Sequence, residues 1–372
     1  MQNPFILGIA EESDFCNRKN ELKDLLQYAH NGQKVVLYSA RRYGKSSLIM
    51  QVLNNLSKEG FLTAYVDLFP VSSENDVVSK FATAVFKGIG GRADPRKLTT
   101  KVTNIFKRMV PTVEILPDRI EFLVKFDRST KLELLLDDLM EGIANYVREK
   151  NLRACIALDE FQEITELPES KKIEGTLRSH IQRQKEISYL FVGSRRRTIL
   201  DIFTNKNRPF YKSTFLYILK EIPKQDFALY IISKFKESKK QCSLENAEQI
   251  YDKVRGYPYY VQKLSALTWD LSDKTCNADM INRAYKMLLK IEAVDFEGIW
   301  SGLTLSQKSL LKAIAREPYA SIFSKGYLER YGLSIGGAQK ALKSLISRDL
   351  IEKENDIYRL TDPVMAAWLL EA

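Results

Sequence analysis

The residues with the clearest chemical potential lie at 38–49 and read YSARRYGKSSLI. Their spacing is close to G-x-x-x-x-G-K-[ST], the pattern of a loop that cradles phosphate, with Ser39 where the first glycine belongs. Such a loop needs a strand that ends and a helix that begins, so that free backbone N–H groups point at phosphate oxygens. Gly44 lets the backbone approach the anion, Lys45 brings a mobile cation to the β- and γ-phosphates, and Ser46 offers a hydroxyl to Mg2+. Serine adopts many turn conformations, so Ser39 weakens the motif without removing a phosphate ligand.

A second constellation is CIALDEFQEI (155–164), an apolar run that ends in two acids. Phosphoryl chemistry at a phosphate loop needs a carboxylate on a neighbouring strand end to organise the Mg2+ ligands, and often a second to polarise water. Asp159 takes the first role in this reading and Glu160 the second, as general base for the attacking water. A third group is YLFVGSRRR (189–197), where Ser194 ends a strand within reach of a γ-phosphate or the water. Arg195, Arg196 and Arg197 follow at once and Arg208 comes soon after. An arginine can stabilise charge developing on phosphate. For any single one of these four, a solvated face paired with acids is the simpler account.

These groups need a scaffold, and the flanking pattern supplies one. KVVLYS (34–39), LTAYVDLF (62–69), ACIALD (154–159), YLFVG (189–193) and a segment near 214–219 read as short buried strands. Helical spacing covers 20–30, 46–60, 74–88, 92–110, 131–149 and 171–185. Ser73 and Asp76 predict a capping box at the start of the third of these helices. TVEILPDRIEFLVKF (112–126) alternates about Pro117-Asp118 and predicts a β-hairpin. Strands alternating with helices, each strand apolar throughout, predict a parallel sheet covered on both faces. After about residue 222 the pattern becomes helical, over 224–237, 244–254, 258–272 and 278–291.

Composition narrows the class. The chain has 372 residues, 45% of them apolar, which suits two or three packed domains and not a disordered chain. No uncharged apolar run of membrane-spanning length is present, and the first residues carry no basic n-region, so neither a membrane span nor a signal peptide is expected. Cys16, Cys155, Cys242 and Cys276 are widely spaced and read as reduced thiols of a cytoplasmic protein. With only His30 and His180, a histidine metal site is not expected. The formal net charge is +10, and residues 171–212 hold eleven Lys/Arg against three Asp/Glu. A local basic surface of this kind suits an anion: nucleotide phosphate, nucleic acid or an acidic partner.

In order and spacing, these motifs resemble the archaeal-type P-loop ATPases, AAA-related and STAND-like members with a C-terminal winged helix that also occur in bacteria. FCNRKNELKDLL resembles the family's N-terminal F-x-x-R-x-x-E-L box through Arg18, Glu21 and Leu22. SARRYGKSSL resembles its paired-arginine phosphate loop, ALDEFQEI its acid strand and VGSRRRTI its G-S sensor. RGYPYYVQ (255–262) resembles its lid motif through Gly256 and Pro258, the proline lying against the nucleotide base in related ATPases. Two positions depart from the pattern: Ser39, and Lys212 where many relatives carry an arginine. Lysine lacks the planar fork, which puts an arginine-finger role at 212 in doubt.

The resemblance implies an α/β P-loop NTPase (AAA-like) three-layer core over 1–221, a helical lid over 222–300 and a winged helix over 301–372. It implies ATP and Mg2+ as ligands. Lys45, Asp159, Glu160 and Ser194 are then catalytic, and Ser46 and Asp159 hold the metal. Arg18, Arg41, Arg42, Tyr43, Gly44, Lys45, Ser46, Ser47, Gly256 and Pro258 would bind nucleotide. The winged helix is also readable alone. Helices over 305–316, 324–332 and 334–350 precede a turn and two strands in IEKENDIYRLTDP, and Gln339, Lys340, Lys343 and Arg348 would face DNA. Residues 316–355 carry seven basic and five acidic side chains, a near balance that suits a protein partner as well. The expected function is a Mg2+-dependent ATPase acting as a nucleotide-driven switch on a DNA or protein partner. The alternatives are a DNA-binding regulatory or defence-associated protein that keeps nucleotide as a structural ligand, and an oligomeric motor on DNA.

Overall fold

The structure is a computed structural model that describes residues 2–8, 15–90, 105–115, 120–319 and 321–371. The described chain forms two compact units. The first comprises Arg18–Arg41 and Lys45–Lys220; the second comprises the N-terminal segment to Asn17, the tripeptide Arg42–Gly44 and the chain from Glu221 onward.

The first unit is built on a parallel sheet of five strands, β1 (Lys34–Tyr38), β2 (Leu62–Asp67), β5 (Ala154–Asp159), β6 (Ile187–Gly193) and β7 (Phe215–Ile218). Their spatial order is β2-β5-β6-β1-β7. Every residue of β5 and β6 is buried, as expected of strands covered on both faces. The helices are α1 (Lys19–His30), α2 (Lys45–Lys58), α3 (Glu74–Gly90), α4 (Leu132–Glu149), α5 (Ser170–Ile181) and α6 (Arg196–Thr204). Strands β3 (Met109–Ile115) and β4 (Ile120–Phe126) form the expected antiparallel hairpin.

Register decides where the chemistry gathers. Tyr38 of β1 pairs with Gly193 of β6, and Leu158 of β5 pairs with Phe191. The segments that leave β1, β5 and β6 therefore emerge at one carboxyl edge, where α/β sheets bind ligands. Phe161, Phe191, Phe203 and Phe210 are all buried below this edge. Their ring centroids lie 4.7 Å (161–191), 5.0 Å (191–203) and 5.2 Å (203–210) apart, within the range of favourable aromatic pairs. That cluster fixes the short 3-10 helix Phe161–Glu166 and α6 against β6, and so fixes the two segments that carry Glu160 and Ser194.

Two local expectations change. Asp76 N donates to Ser73 Oγ (3.2 Å), but the Asp76 carboxylate receives Ser72 N (3.0 Å), one residue earlier than a capping box requires. The helix expected over 92–110 lies mostly outside the described residues; its last part, 105–108, is a turn leading into β3.

The second unit is helical, with α7 (Lys224–Glu237), α8 (Leu244–Lys253), α9 (Pro258–Leu271), α10 (Ala278–Ser301), α11 (Leu305–Arg316), α12 (Lys325–Arg330), α13 (Ile335–Ser347) and α14 (Pro363–Glu371), and a small wing, β8 (Ile351–Glu354) and β9 (Ile357–Leu360). Pro258 sits at the first position of α9, where its missing N–H costs nothing. Thr304 and Gln307 form a reciprocal capping box on α11. Helix α10 runs ten residues beyond the segment expected from periodicity, and α14 was not anticipated. Trp368 of α14 packs against Phe296 and Trp300 of α10, at 5.7 and 6.2 Å between centroids. Tyr260 of α9 donates to Asp362 Oδ2 (2.6 Å) just before α14. The thiols of Cys242 and Cys276, far apart in sequence, meet at 3.2 Å as free cysteines.

Candidate active site

The phosphate-type loop joins β1 to α2, as its motif requires. Arg42 and Gly44 hold positive φ values, 61° and 82°. At Gly44 a side chain would have space, so the demand there is conformational: a left-handed backbone that glycine adopts without strain. Lys45 opens α2 and is 5% exposed. Its Nζ donates to Ala40 O (2.8 Å), Ser39 O (3.3 Å) and Ser39 Oγ (3.4 Å). Ser39, the departure from the motif, thus turns its hydroxyl and carbonyl toward the loop's own cation. Burial lowers the Lys45 pKa to about 8, against the opposing pull of Glu160 and Asp159 and with a further push from Arg41 and Arg196.

Ser46 Oγ donates to Asp159 Oδ2 (2.8 Å), across a sequence gap of more than a hundred residues. Asp159 ends β5 and is 4% exposed. Burial pushes its carboxyl above the usual range, while hydrogen bonds from Tyr65 and Ser46 act to keep it charged. Its other oxygen, Oδ1, receives Glu160 N (2.9 Å). Glu160 takes a left-handed backbone (φ 51°, ψ 41°) at the break between β5 and the 3-10 helix, which turns it away from the strand direction. Its Oε2 accepts from Ser194 Oγ (2.7 Å), from Ser194 N (3.3 Å) and from Gln162 Nε2. Asp159, Glu160 and Ser194 therefore form one connected group beside Lys45.

Two residues of this group escaped the sequence reading. Tyr65 of β2 donates its phenol to Asp159 Oδ2 (2.5 Å). The signal was present in TAYVDLF, but only the β2–β5 pairing makes it meaningful. Gln162, fully buried, holds Glu160 from the next turn; it was legible only as part of the D-E-F-Q run.

The remaining expected site residues fall in several places. Ser47 is buried within the first turn of α2, and Arg41 is exposed. Arg18 is 4% exposed, with its guanidinium on Glu21 (2.9 Å) and on the Lys220 carbonyl (2.6 Å), a link from the start of α1 to the segment after β7. In the second unit, the Arg42 guanidinium lies 4.2 Å over the Tyr259 ring and 3.7 Å from Glu292. Tyr43 meets Tyr257 edge-on at 4.9 Å. Gly256 (φ 67°) closes α8 through its N–H on Tyr251 O (2.9 Å), and a Cβ there would lie 2.3 Å from the Tyr251 ring. Pro258, buried, starts α9 two residues later.

Several cations of the basic window are engaged by acids. Arg195 bridges Glu163 and Glu166, Arg208 bridges the fully buried Glu174 and Asp201, and Lys172 bridges Glu133 and Glu169. For Arg195 and Arg208 the simpler account holds: their forks are engaged by carboxylates of the same unit. Lys212 is exposed.

Residues 15–264 match the ATPase domain predominantly from Archaea. The chain belongs to that family. Residues 294–371 match a probable winged helix domain. Among solved structures, the chain is similar to a Walker-type ATPase of Pyrococcus abyssi at 18% identity, covering 98% of this chain and 99% of that one, with a TM-score of 0.68. It is also similar to the ORC2 protein of Aeropyrum pernix in ADPNP–ADP complexes, at 16% identity over 96% and 93% of the two chains, TM-score 0.57. No curated protein sequence matches the chain. Family and fold thus agree: a nucleotide-binding P-loop ATPase, an ATP hydrolase by class, carrying a C-terminal winged helix. Among the described residues no helix is long and apolar enough to cross a membrane.

Proposed function

We propose that this ATPase is a Mg2+-dependent, nucleotide-driven switch whose output passes through the winged helix to a DNA or protein partner. One observation carries the reading: Ser46 is hydrogen-bonded to Asp159 while Lys45 lies buried beside both acids. A buried ammonium in a loop of turned backbone amides suits a triphosphate, and a hydroxyl shared with a buried carboxylate suits a hydrated divalent cation. Ser46 and Asp159 would hold Mg2+, which when bound would neutralise charge on the β- and γ-phosphate oxygens. Lys45 and the amides of residues 41–47 would bind the phosphates, and Lys45 would exchange its present carbonyl partners for them. Glu160 would take a proton from the attacking water, and Ser194 would orient that water or the γ-phosphate.

The switch reading has its own support. Arg42 and Tyr43 of the phosphate loop touch Tyr259, Glu292 and Tyr257 of α9, α10 and the turn before α9. The same unit ties α9 to α14 through Tyr260 and Asp362. A change at the loop therefore has a physical route toward the winged helix, and the core, lid and winged-helix division at 221 and 300 belongs to this reading, as does a cytoplasmic setting. Lys340 and Lys343 are exposed on α13, available to phosphate or to an acidic partner. Arg18, Arg41, Ser47, Gly256 and Pro258 belong to the nucleotide set of the proposal, Arg18 by anchoring the loop's surroundings.

A second reading, nucleotide kept as a structural ligand with little turnover, is favoured by one feature. The Glu160 carboxylate accepts from Ser194 and Gln162 at Oε2, and such donors stabilise the charged form and make it a weaker base. Steady-state hydrolysis and ATP binding of the wild type, Lys45→Ala and Glu160→Gln, with and without duplex DNA, separate the readings. The switch predicts lost binding in the first variant and retained binding in the second, with hydrolysis lower by about 100-fold or more. Normal hydrolysis in both variants would sink the residue roles, and negligible wild-type turnover would favour the structural-ligand reading.

A further inference from the structure

We propose that Tyr65 is a positioning residue for the metal-holding carboxylate: its phenol fixes Asp159 in the orientation that Mg2+ requires, and thereby sets the affinity of the site for the metal. The inference rests on the reading of Ser46 and Asp159 as the metal pair.

Three donors from three separate elements converge on this one carboxylate. Tyr65 of β2 and Ser46 of α2 both donate to Oδ2, at 2.5 and 2.8 Å, and Glu160 N donates to Oδ1 at 2.9 Å. They differ in how firmly each is held. Ser46 belongs to the phosphate loop's helix and has a second task at the cation. The Glu160 amide belongs to a left-handed turn at a strand end. Tyr65 alone projects from the sheet: β2 pairs with β5 from Leu62 to Asp67, and Tyr65 sits opposite Ala157, two residues before Asp159. A phenol anchored there sets the carboxylate's rotation about its own side-chain bonds.

The chemistry of the pair fits this role and no step of hydrolysis. Tyrosine offers one O–H donor, which a carboxylate accepts strongly because the bond is charge-assisted. The phenol is the donor in this bond, its O–H directed at Asp159 Oδ2. Partners that orient a metal ligand in this way typically matter about 10- to 100-fold for metal affinity.

Tyr65→Phe removes one oxygen and keeps the ring. The half-saturating Mg2+ concentration for hydrolysis should rise about tenfold, with kcat at saturating Mg2+ within about threefold of wild type. Binding of a fluorescent ATP analogue in excess EDTA should be unchanged, and the gain in its affinity on adding Mg2+ should shrink by the same factor as the half-saturation shifts. Unaltered Mg2+ dependence of both binding and hydrolysis overturns the inference. So does weaker binding in EDTA together with a lowered melting temperature, which would make Tyr65 structural. Ser46→Ala and Asp159→Asn, measured in parallel, separate the two levels. If they shift Mg2+ dependence and Tyr65→Phe does not, Tyr65 alone is misassigned; if neither shifts it, the metal reading itself fails.

Discussion

Replacing Lys45 by methionine should stabilise the nucleotide-free protein while abolishing triphosphate binding. Lys45 is almost fully buried, and its pKa falls from 10.5 to about 8, chiefly through burial. A fall of about 2.5 units at about 1.4 kcal/mol per unit means that holding the ammonium in place costs the folded protein about 3 kcal/mol. The sign follows from the proton count. Below pH 8 the lysine is charged in both states and the full cost is present. Between pH 8 and 10.5 the unfolded chain holds the proton that the folded one has lost, so stability rises with pH; above 10.5 the cost is gone. Methionine carries no proton and no such slope. It also forfeits the bonds to Ala40 and Ser39, returning about 1 kcal/mol. The variant should therefore gain about 2 kcal/mol at pH 7, a gain that vanishes toward pH 10. Urea unfolding of both proteins without nucleotide, followed by circular dichroism at pH 7 and pH 10, measures this directly. A variant less stable than wild type at pH 7, or a difference independent of pH, would refute the account of Lys45 as a strained, function-committed cation.

Arg208→Met should destabilise the core by about 3–5 kcal/mol, because Glu174 would be left buried without its cation. Burial already holds the Glu174 carboxyl above its usual range, so protonation should relieve the defect and the deficit should be smaller at pH 5 than at pH 8, as read by thermal melts. If the winged helix binds DNA, Lys340→Glu with Lys343→Glu should weaken binding uniformly across sequences and lower the salt slope by about two; unchanged affinity would turn the search toward a protein partner.

The family and the sheet were legible from local pattern. KVVLYS, ACIALD and YLFVG are short apolar runs bounded by turn signals, and G-K-S at a strand-to-helix junction leaves few alternatives. Helix ends were less legible. Periodicity over α10 fades where Val294 and Ile299 are exposed, and α14 is apolar on all sides, so it has no stripe to reveal it. The basic window misled in part. Arg195 and Arg208 look available in a linear count, yet Glu163, Glu166 and the buried Glu174, which engage them, lie 29–34 positions away on packed neighbours. The thiols of Cys242 and Cys276 meet only because the turns before α8 and α10 pair through Gln241 and Cys276, where Cys276 N donates to Gln241 O at 2.9 Å.

What the sequence determined by itself is the set of parts: a phosphate loop, two acids at a strand end, a serine at the next strand end, and helices to carry a winged module. Those are properties of residue type and short-range spacing, which any stretch of chain expresses wherever it folds. Which part touches which was decided only by the tertiary structure. The register that brings β2 beside β5 aims Tyr65 at Asp159, and the left-handed turn at Glu160 delivers its carboxylate to Ser194 and Gln162. Hydrogen bonds act over about 3 Å and depend on direction, so no pattern along the chain can specify them until the sheet has set the distances.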